Sequence, residues 1–361
     1  MDKVITGSDD LTQEWLTFAL QQGGKLNSSV TSLEVEHGIA AGVGLMGELA
    51  RIRLQYSDNE SLPASMIVKC AVQNQNKEIA KVLDFYNREV NFYNKIGEAC
   101  GFRVPASYYA DVDQDSYDCV ILMEDLGNVS PHDQIEGATE EEAYAAVEKI
   151  AIMHSKYWNK VSTPESSWMY DFMCEAEAEK LRDMVYMPAL EPALEKFAEF
   201  FDDDQRDLCR AVGERYPEFW STRLSDFETF IHGDYRQDNF IYPGGSLDSI
   251  VMDWQISGKG KGIFDVSYFI CQSLQSDLRQ KIEHDLIRRY VDRLIEYGIT
   301  DYDFDLAFKD YRIMMLGCLV YPITVCGTLD LANERGRALA ECMLTRNLNA
   351  IKELDCASLL S

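Results

Sequence analysis

The sequence predicts an α+β protein of two unequal lobes, the first rich in strands and the second larger and mainly helical. Three observations lead there. The 361 residues exceed one typical domain and can bury a large core. Apolar runs of strand length, bounded by turn residues, gather before about residue 122, whereas helical spacing dominates from about 128 onward. One interruption of the helical part, residues 230–255, reads as loop, hairpin and loop. The division is therefore residues 1–122, a short connection at 123–127, and residues 128–361.

In chain order, an N-terminal helix precedes Glu34 to His37, a glycine-rich run from Gly38 through Gly42 and Gly44 to Gly47, and Glu48 to Tyr56. This is strand, turn, strand, and glycine lets backbone N–H groups in such a turn approach a phosphate closely. Met66 to Cys70 is a third strand, carrying Lys69 among apolar residues. A lysine there is costly unless an anion accompanies it. Phe85 to Tyr93 has helical spacing and offers Glu89 as that anion. Val120 to Gly127 is an apolar strand ending in Glu124 and Asp125. Helical spacing with few breakers then marks 140–158, 168–184, 190–201, 205–216, 280–297, 302–319 and 335–354. The apolar run from Ile313 to Leu329 contains Gly317, Pro322 and Gly327 and falls short of a span of about 20 residues, so it is expected to be a buried, kinked helix.

The chemistry gathers in FIHGDYRQDNFIYPGGSLDSIVMDWQ. Phe230-Ile231 and Ile250 to Met252 read as short buried strands, and Phe240 to Tyr242 leads into a Pro-Gly-Gly turn. A hairpin brings its ends together, so Asp234, Asn239 and Asp253 are expected to converge. Phosphoryl transfer asks for that set: a carboxylate to orient an attacking hydroxyl and accept its proton, with an amide and a second carboxylate to hold magnesium on the phosphates. His-Gly-Asp alone would be an ordinary turn; the full spacing carries the argument.

The pattern H-G-D-x-x-x-x-N…D-W-Q resembles the catalytic loop of the aminoglycoside phosphotransferase and choline kinase superfamily, and especially its ecdysteroid-kinase-like branch. The resemblance implies a bilobal, protein-kinase-like fold with ATP and magnesium as cofactors. It implies Asp234 as catalytic base and Asn239 and Asp253 as metal ligands. Lys69 paired with Glu89 would grip the α- and β-phosphates, under the glycine-rich loop of Gly42 and Gly44. Backbone groups of Met123, Glu124, Asp125 and Leu126 would bind adenine. Asp265, near the start of a helix, would buttress the loop, and His232 would support it by hydrogen bonding. His154, on a strongly apolar helix, reads as a core histidine.

Composition narrows the partners. A net charge of −27 argues against nucleic acid, whose phosphates demand a basic surface, and no lysine-rich amphipathic stretch suits an anionic membrane. Residues 1–12 are polar and acidic, unlike a secretory signal. Ten dispersed cysteines without a C-x-x-C cluster suggest buried thiols in a reducing compartment, hence a cytoplasmic location. The expected acceptor is a hydroxyl of a small molecule, because residues 254–264 leave no room for an activation segment or its Ala-Pro-Glu anchor. A nucleotide-binding protein without catalysis is the alternative, and a protein kinase a more distant one. Aromatic residues such as Tyr157, Trp168, Tyr311 and Tyr321 read as core or as the wall of an acceptor pocket.

Overall fold

The computed structural model describes residues 4–39, 47–58, 62–127, 129, 131–221, 226–328 and 334–360. Gly42 and Gly44 lie outside the described residues. The chain forms two compact units, residues 1–129 with 250–256, and residues 130–249 with 257–361.

The first unit is built on an antiparallel sheet of β1 (Val30–His37), β2 (Gly47–Tyr56), β3 (Ser65–Ala71), β4 (Ser107–Val112) and β5 (Cys119–Glu124), in the order β1-β2-β3-β5-β4. Strand alternation decides what each face carries. Ala50, Ile52 and Leu54 of β2 and Met66, Val68 and Cys70 of β3 are buried. Their face joins a core with Trp15, Leu16, Ala19 and Leu20 of helix α1 (Gln13–Gln22), which Thr12 caps by accepting the Trp15 N–H. Lys69 falls between Val68 and Cys70, so its side chain leaves the opposite face. Short α2 (Asn76–Val82) leads into α3 (Phe85–Lys95), whose buried residues include Tyr86, Glu89, Val90 and Tyr93. That helical stripe places Glu89 at its centre. Strand β8 (Ile250–Val251) and the residues to Ile256 belong to this unit.

The second unit is mainly helical. Helix α4 (Glu140–Tyr157) opens with a capping box between Thr139 and Glu142, and α7 (Asp203–Glu214) with one between Asp202 and Gln205. Between them lie α5 (Glu175–Leu181) and α6 (Met187–Lys196), joined by a π-helical turn at Arg182–Tyr186. The helical spacing at 168–184 overreaches here. Backbone hydrogen bonds from Lys259 N to Tyr170 O and from Phe172 N to Lys259 O draw residues 170–172 into extended pairing, and the Asp171 side chain accepts the Met173 N–H. Helix α8 (Tyr216–Ser221) precedes β6 (Thr229–Ile231) and β7 (Phe240–Ile241), and β6 pairs antiparallel with β9 (Gly258–Gly260).

The remaining helices are α9 (Ile263–Ser273), α10 (Ser276–Glu296), α11 (Phe304–Gly317), α12 (Val320–Thr328) and α13 (Glu334–Glu353). Their core includes Phe269 and Ile270 of α9, Leu286 and Tyr290 of α10, and Tyr311 and Met314 of α11, all fully buried. The stretch Phe304–Thr328 is long and apolar enough to cross a membrane, but most of it is packed inside the protein. The kink expected there is a break at Cys318 and Leu319, between α11 and α12.

Candidate active site

In the first unit, β3 and α3 bring Lys69 and Glu89 together, with Nζ 2.8 Å from Oε1 and 2.7 Å from Oε2. Asp253 Oδ1 lies 3.6 Å from the same Nζ. Burial works against the Lys69 charge, but the fields of Glu89 and Asp253 outweigh it, and the ammonium is held more firmly than an ordinary lysine. Burial also pushes the Glu89 carboxyl up, against the pull of Lys69.

Asp253 is set by its own loop. Its φ of 62° is left-handed, a conformation that non-glycine residues rarely adopt and that persists where surroundings impose it. Those surroundings come largely from α3. Trp254 stacks on Phe92 with ring centroids 3.7 Å apart and planes 4° from parallel. Arg88 donates to Ile256 O at 2.7 Å and to Leu83 O at 3.0 Å. Asp253 Oδ2 accepts from Gln255, while Oδ1 is buried without a hydrogen bond among the described residues. A buried carboxylate oxygen with lone pairs to spare beside one cation fits a magnesium ligand by its chemistry.

At the end of β5, the side chains of the expected adenine-binding residues hold the sheet together. Glu124 pairs with Arg103 at 2.8 Å, and its N–H donates to Ala106 O. Asp125 receives Arg51 Nε at 2.8 Å, Ser65 Oγ at 2.5 Å and the Gly127 N–H at 2.9 Å. Met123 lies in β5 and Leu126 just beyond it.

In the second unit, the loop after β6 is shaped by hydrogen bonds to its backbone. Gly233 has φ 83°, which requires glycine at that turn. Asp265, third residue of α9, accepts the His232 N–H at 2.7 Å and the Gly233 N–H at 2.9 Å. His154 Nε2 lies 3.2 Å from the same carboxylate, and its Nδ1 is 2.8 Å from Tyr290 Oη. A carboxylate only accepts, so Nε2 carries a proton. Gly262 admits this packing, since a Cβ there would come within 2.7 Å of Tyr290 Oη and 2.9 Å of His154 Nδ1. His232 Nδ1 accepts the Asp234 N–H at 3.1 Å, and Tyr321 Oη donates to Gly233 O.

Asp234 is thereby placed in a buried turn with its carboxylate held from two sides. Asn239 Nδ2 donates to Asp234 O at 2.8 Å and to Oδ2 at 3.0 Å. Both partners are acceptors, so the amide nitrogen faces them and the amide oxygen is the atom that could hold a metal. Arg236 Nε lies 3.1 Å from Oδ1 and 3.3 Å from Oδ2.

Sequence reading singled out neither Arg236 nor Arg88, whereas His154, read as a core histidine, is fully buried with both ring nitrogens engaged. The signals for the two arginines were faint: one stands two places after the loop aspartate and the other next to Glu89.

Comparison with known proteins gives the family and the fold. The model of the ecdysteroid kinase-like family matches residues 41–299. A protein from Ralstonia eutropha jmp134, described as an aminoglycoside phosphotransferase, shares the fold with a TM-score of 0.55 at 13% identity, over 95% of this chain and 98% of that one. The GDP and kanamycin complex of APH(2")-IIIa does so with a TM-score of 0.51 at 13% identity, over 96% and 99%. No curated protein sequence matches the chain. With the family match spanning well over half of its length, the chain belongs to the ecdysteroid kinase-like family.

Proposed function

We propose that this protein transfers the γ-phosphoryl group of ATP, with magnesium, to a hydroxyl group of a small organic molecule. The observation that carries the reading is the pairing of Lys69 with Glu89 beside Asp253, whose buried Oδ1 accepts no hydrogen bond among the described residues. Lys69 would neutralise α- and β-phosphate oxygens, with Glu89 fixing its position. Asn239 and Asp253 would hold magnesium, which when bound offsets phosphate charge. Backbone groups around Asp125 and Leu126 would receive adenine, the Glu124 N–H being already engaged by Ala106. Gly42 and Gly44 would cover the phosphates.

Asp234 would orient the acceptor hydroxyl and take its proton as the new O–P bond forms and the bond to the β-phosphate oxygen breaks, leaving ADP. The short path from Asp253 to α9 favours a small acceptor over a peptide: residues 258–260 form β9, and α9 begins at Ile263. A cytoplasmic location and an acceptor free of nucleic acid or membrane go with this reading. The alternative, nucleotide binding without catalysis, would keep the Lys69 and Asp253 roles and lose that of Asp234.

Calorimetric titration with ATP and with GTP, each with and without magnesium, tests the nucleotide half. A screen of small alcohols for nucleotide consumption, with products identified by mass spectrometry, tests the transfer. GTP belongs in the titration because APH(2")-IIIa is known with GDP. Magnesium-dependent ATP binding and a phosphorylated alcohol are expected; undiminished binding and turnover in Asp253→Ala would remove the metal assignment.

A further inference from the structure

We infer that Arg236 is a positioning residue for Asp234: its guanidinium, fixed at one end by Gln134 and Asp238, holds the loop carboxylate in one orientation for its work on the acceptor hydroxyl. The inference rests on the phosphotransfer reading above and assigns the residue that completes its base.

The guanidinium divides its donors. Nε faces Asp234, with both carboxylate oxygens within 3.3 Å. Nη1 donates to Gln134 Oε1 at 2.5 Å and to Asp238 Oδ2 at 3.1 Å. The far end is itself anchored. Asp238 Oδ1 accepts the Gln134 N–H at 2.8 Å, and Arg346 Nη1 donates to Gln134 O at 2.7 Å and to Gln272 O at 2.6 Å. A chain of contacts therefore runs from α13 and the end of α9, through Gln134 and Arg236, to Asp234. Burial opposes the Arg236 charge, but Asp234, Tyr268 and Asp238 more than offset it, so the guanidinium stays protonated.

The carboxylate then sits between two donors, Asn239 at Oδ2 and Arg236 across both oxygens. Two fixed contacts stop it rotating, and a reacting group kept in one geometry avoids the loss that a displacement of about 1 Å brings, on the order of 10²-fold in rate. Lysine cannot replace this arginine, because a single ammonium lacks the planar spacing that reaches Asp234 from Nε and Gln134 from Nη1. A buried arginine serving only to stabilise the fold would need no contact with the loop carboxylate.

The test compares Arg236→Gln, Arg236→Lys and Asp234→Asn with the unaltered protein, using γ-labelled MgATP with water or the screened alcohol as nucleophile. Arg236→Gln should lower kcat on the order of 10²-fold while the Kd for MgATP stays within about twofold, an offset of under ~0.3 in log units of affinity. Methylguanidinium at millimolar concentration should restore part of that rate in Arg236→Gln and none in Asp234→Asn. A crystal structure of Arg236→Gln should show the Asp234 carboxylate released from its present contact with Asn239, a readout independent of turnover. Arg236→Lys, which keeps the charge and guards against loss of folding, should remain well below the unaltered rate. Full kcat in either arginine variant, or an unmoved Asp234 in the crystal, overturns the inference. Absence of any label transfer by the unaltered protein would instead overturn the phosphotransfer reading itself, and full activity in Asp234→Asn would remove the base that Arg236 is inferred to position.

Discussion

Lys69 and Glu89 meet in a buried two-oxygen ion pair, with Nζ 2.8 Å from Oε1 and 2.7 Å from Oε2. Breaking one side of such a pair strands the other charge, at a cost of about 3–5 kcal/mol. Lys69→Met should therefore lower the Tm and weaken MgATP binding by at least about tenfold, or ~1.4 kcal/mol. Adding Glu89→Leu should recover much of the stability, because the stranded carboxylate is gone, but none of the nucleotide affinity. Thermal denaturation and calorimetry on both variants separate the two effects; a double variant that binds MgATP normally would remove Lys69 from the phosphate site.

Asp125 sets a pH dependence on the first unit. Burial would raise its carboxyl, but the Ser65 hydroxyl, the Arg51 guanidinium and the Gly127 N–H outweigh it and hold the group below its ordinary value of 3.8. A carboxyl depressed in the folded state contributes stability that is present above 3.8 and is lost as pH falls through the lower folded value. Asp125→Asn should be less stable than the parent at pH 7, with the gap closing on acidification below that point. Urea midpoints across the acid range check this, and a gap that widens toward low pH contradicts it.

Asp265 is expected to be a loop-holding residue whose loss reaches both stability and rate. Its carboxylate serves two buried N–H groups, of His232 and Gly233, and faces His154. Asp265→Ala leaves those donors unsatisfied, each at about 1–3 kcal/mol. A lower Tm together with reduced kcat is expected; unchanged kcat in a folded Asp265→Ala protein would show that Asp234 does not depend on this support.

Much of this was legible in the sequence, for physical reasons that differ from place to place. Lys69 could be read because a lysine within an apolar strand needs an anion, and strand alternation together with helical spacing pointed at Glu89. The loop of Asp234 and Asn239 was legible because its spacing is set by chemistry. The helix at 168–184 was overextended because its spacing cannot report Lys259, nearly ninety residues on, drawing Tyr170 and Phe172 into extended pairing. Arg236 escaped notice because arginine is usually a surface residue, and only the fold shows both ends of its guanidinium engaged. The adenine-binding expectation for Met123 to Leu126 concerned backbone groups; that the Asp125 side chain ties β2 to β3 has no local signature.

Asp234 should matter for turnover far more than for nucleotide binding. Its carboxylate contacts Asn239 and Arg236 within the second unit, whereas Lys69 and Asp253 lie in the first. Asp234→Asn should keep the fold and the MgATP affinity while kcat falls on the order of 10²-fold or more. Equal losses of binding and turnover would mark it as structural or metal-holding.

The most direct measurement is the fate of the γ-phosphate. The protein and its Asp234→Asn variant are each incubated with γ-labelled MgATP, a pool of small hydroxyl compounds and a protein lysate, and the label is followed in both fractions. The expected result is label in the small-molecule fraction, absent from protein bands and lost in Asp234→Asn. Label confined to protein bands, or equal transfer by both proteins, would contradict a small-molecule kinase that works through Asp234.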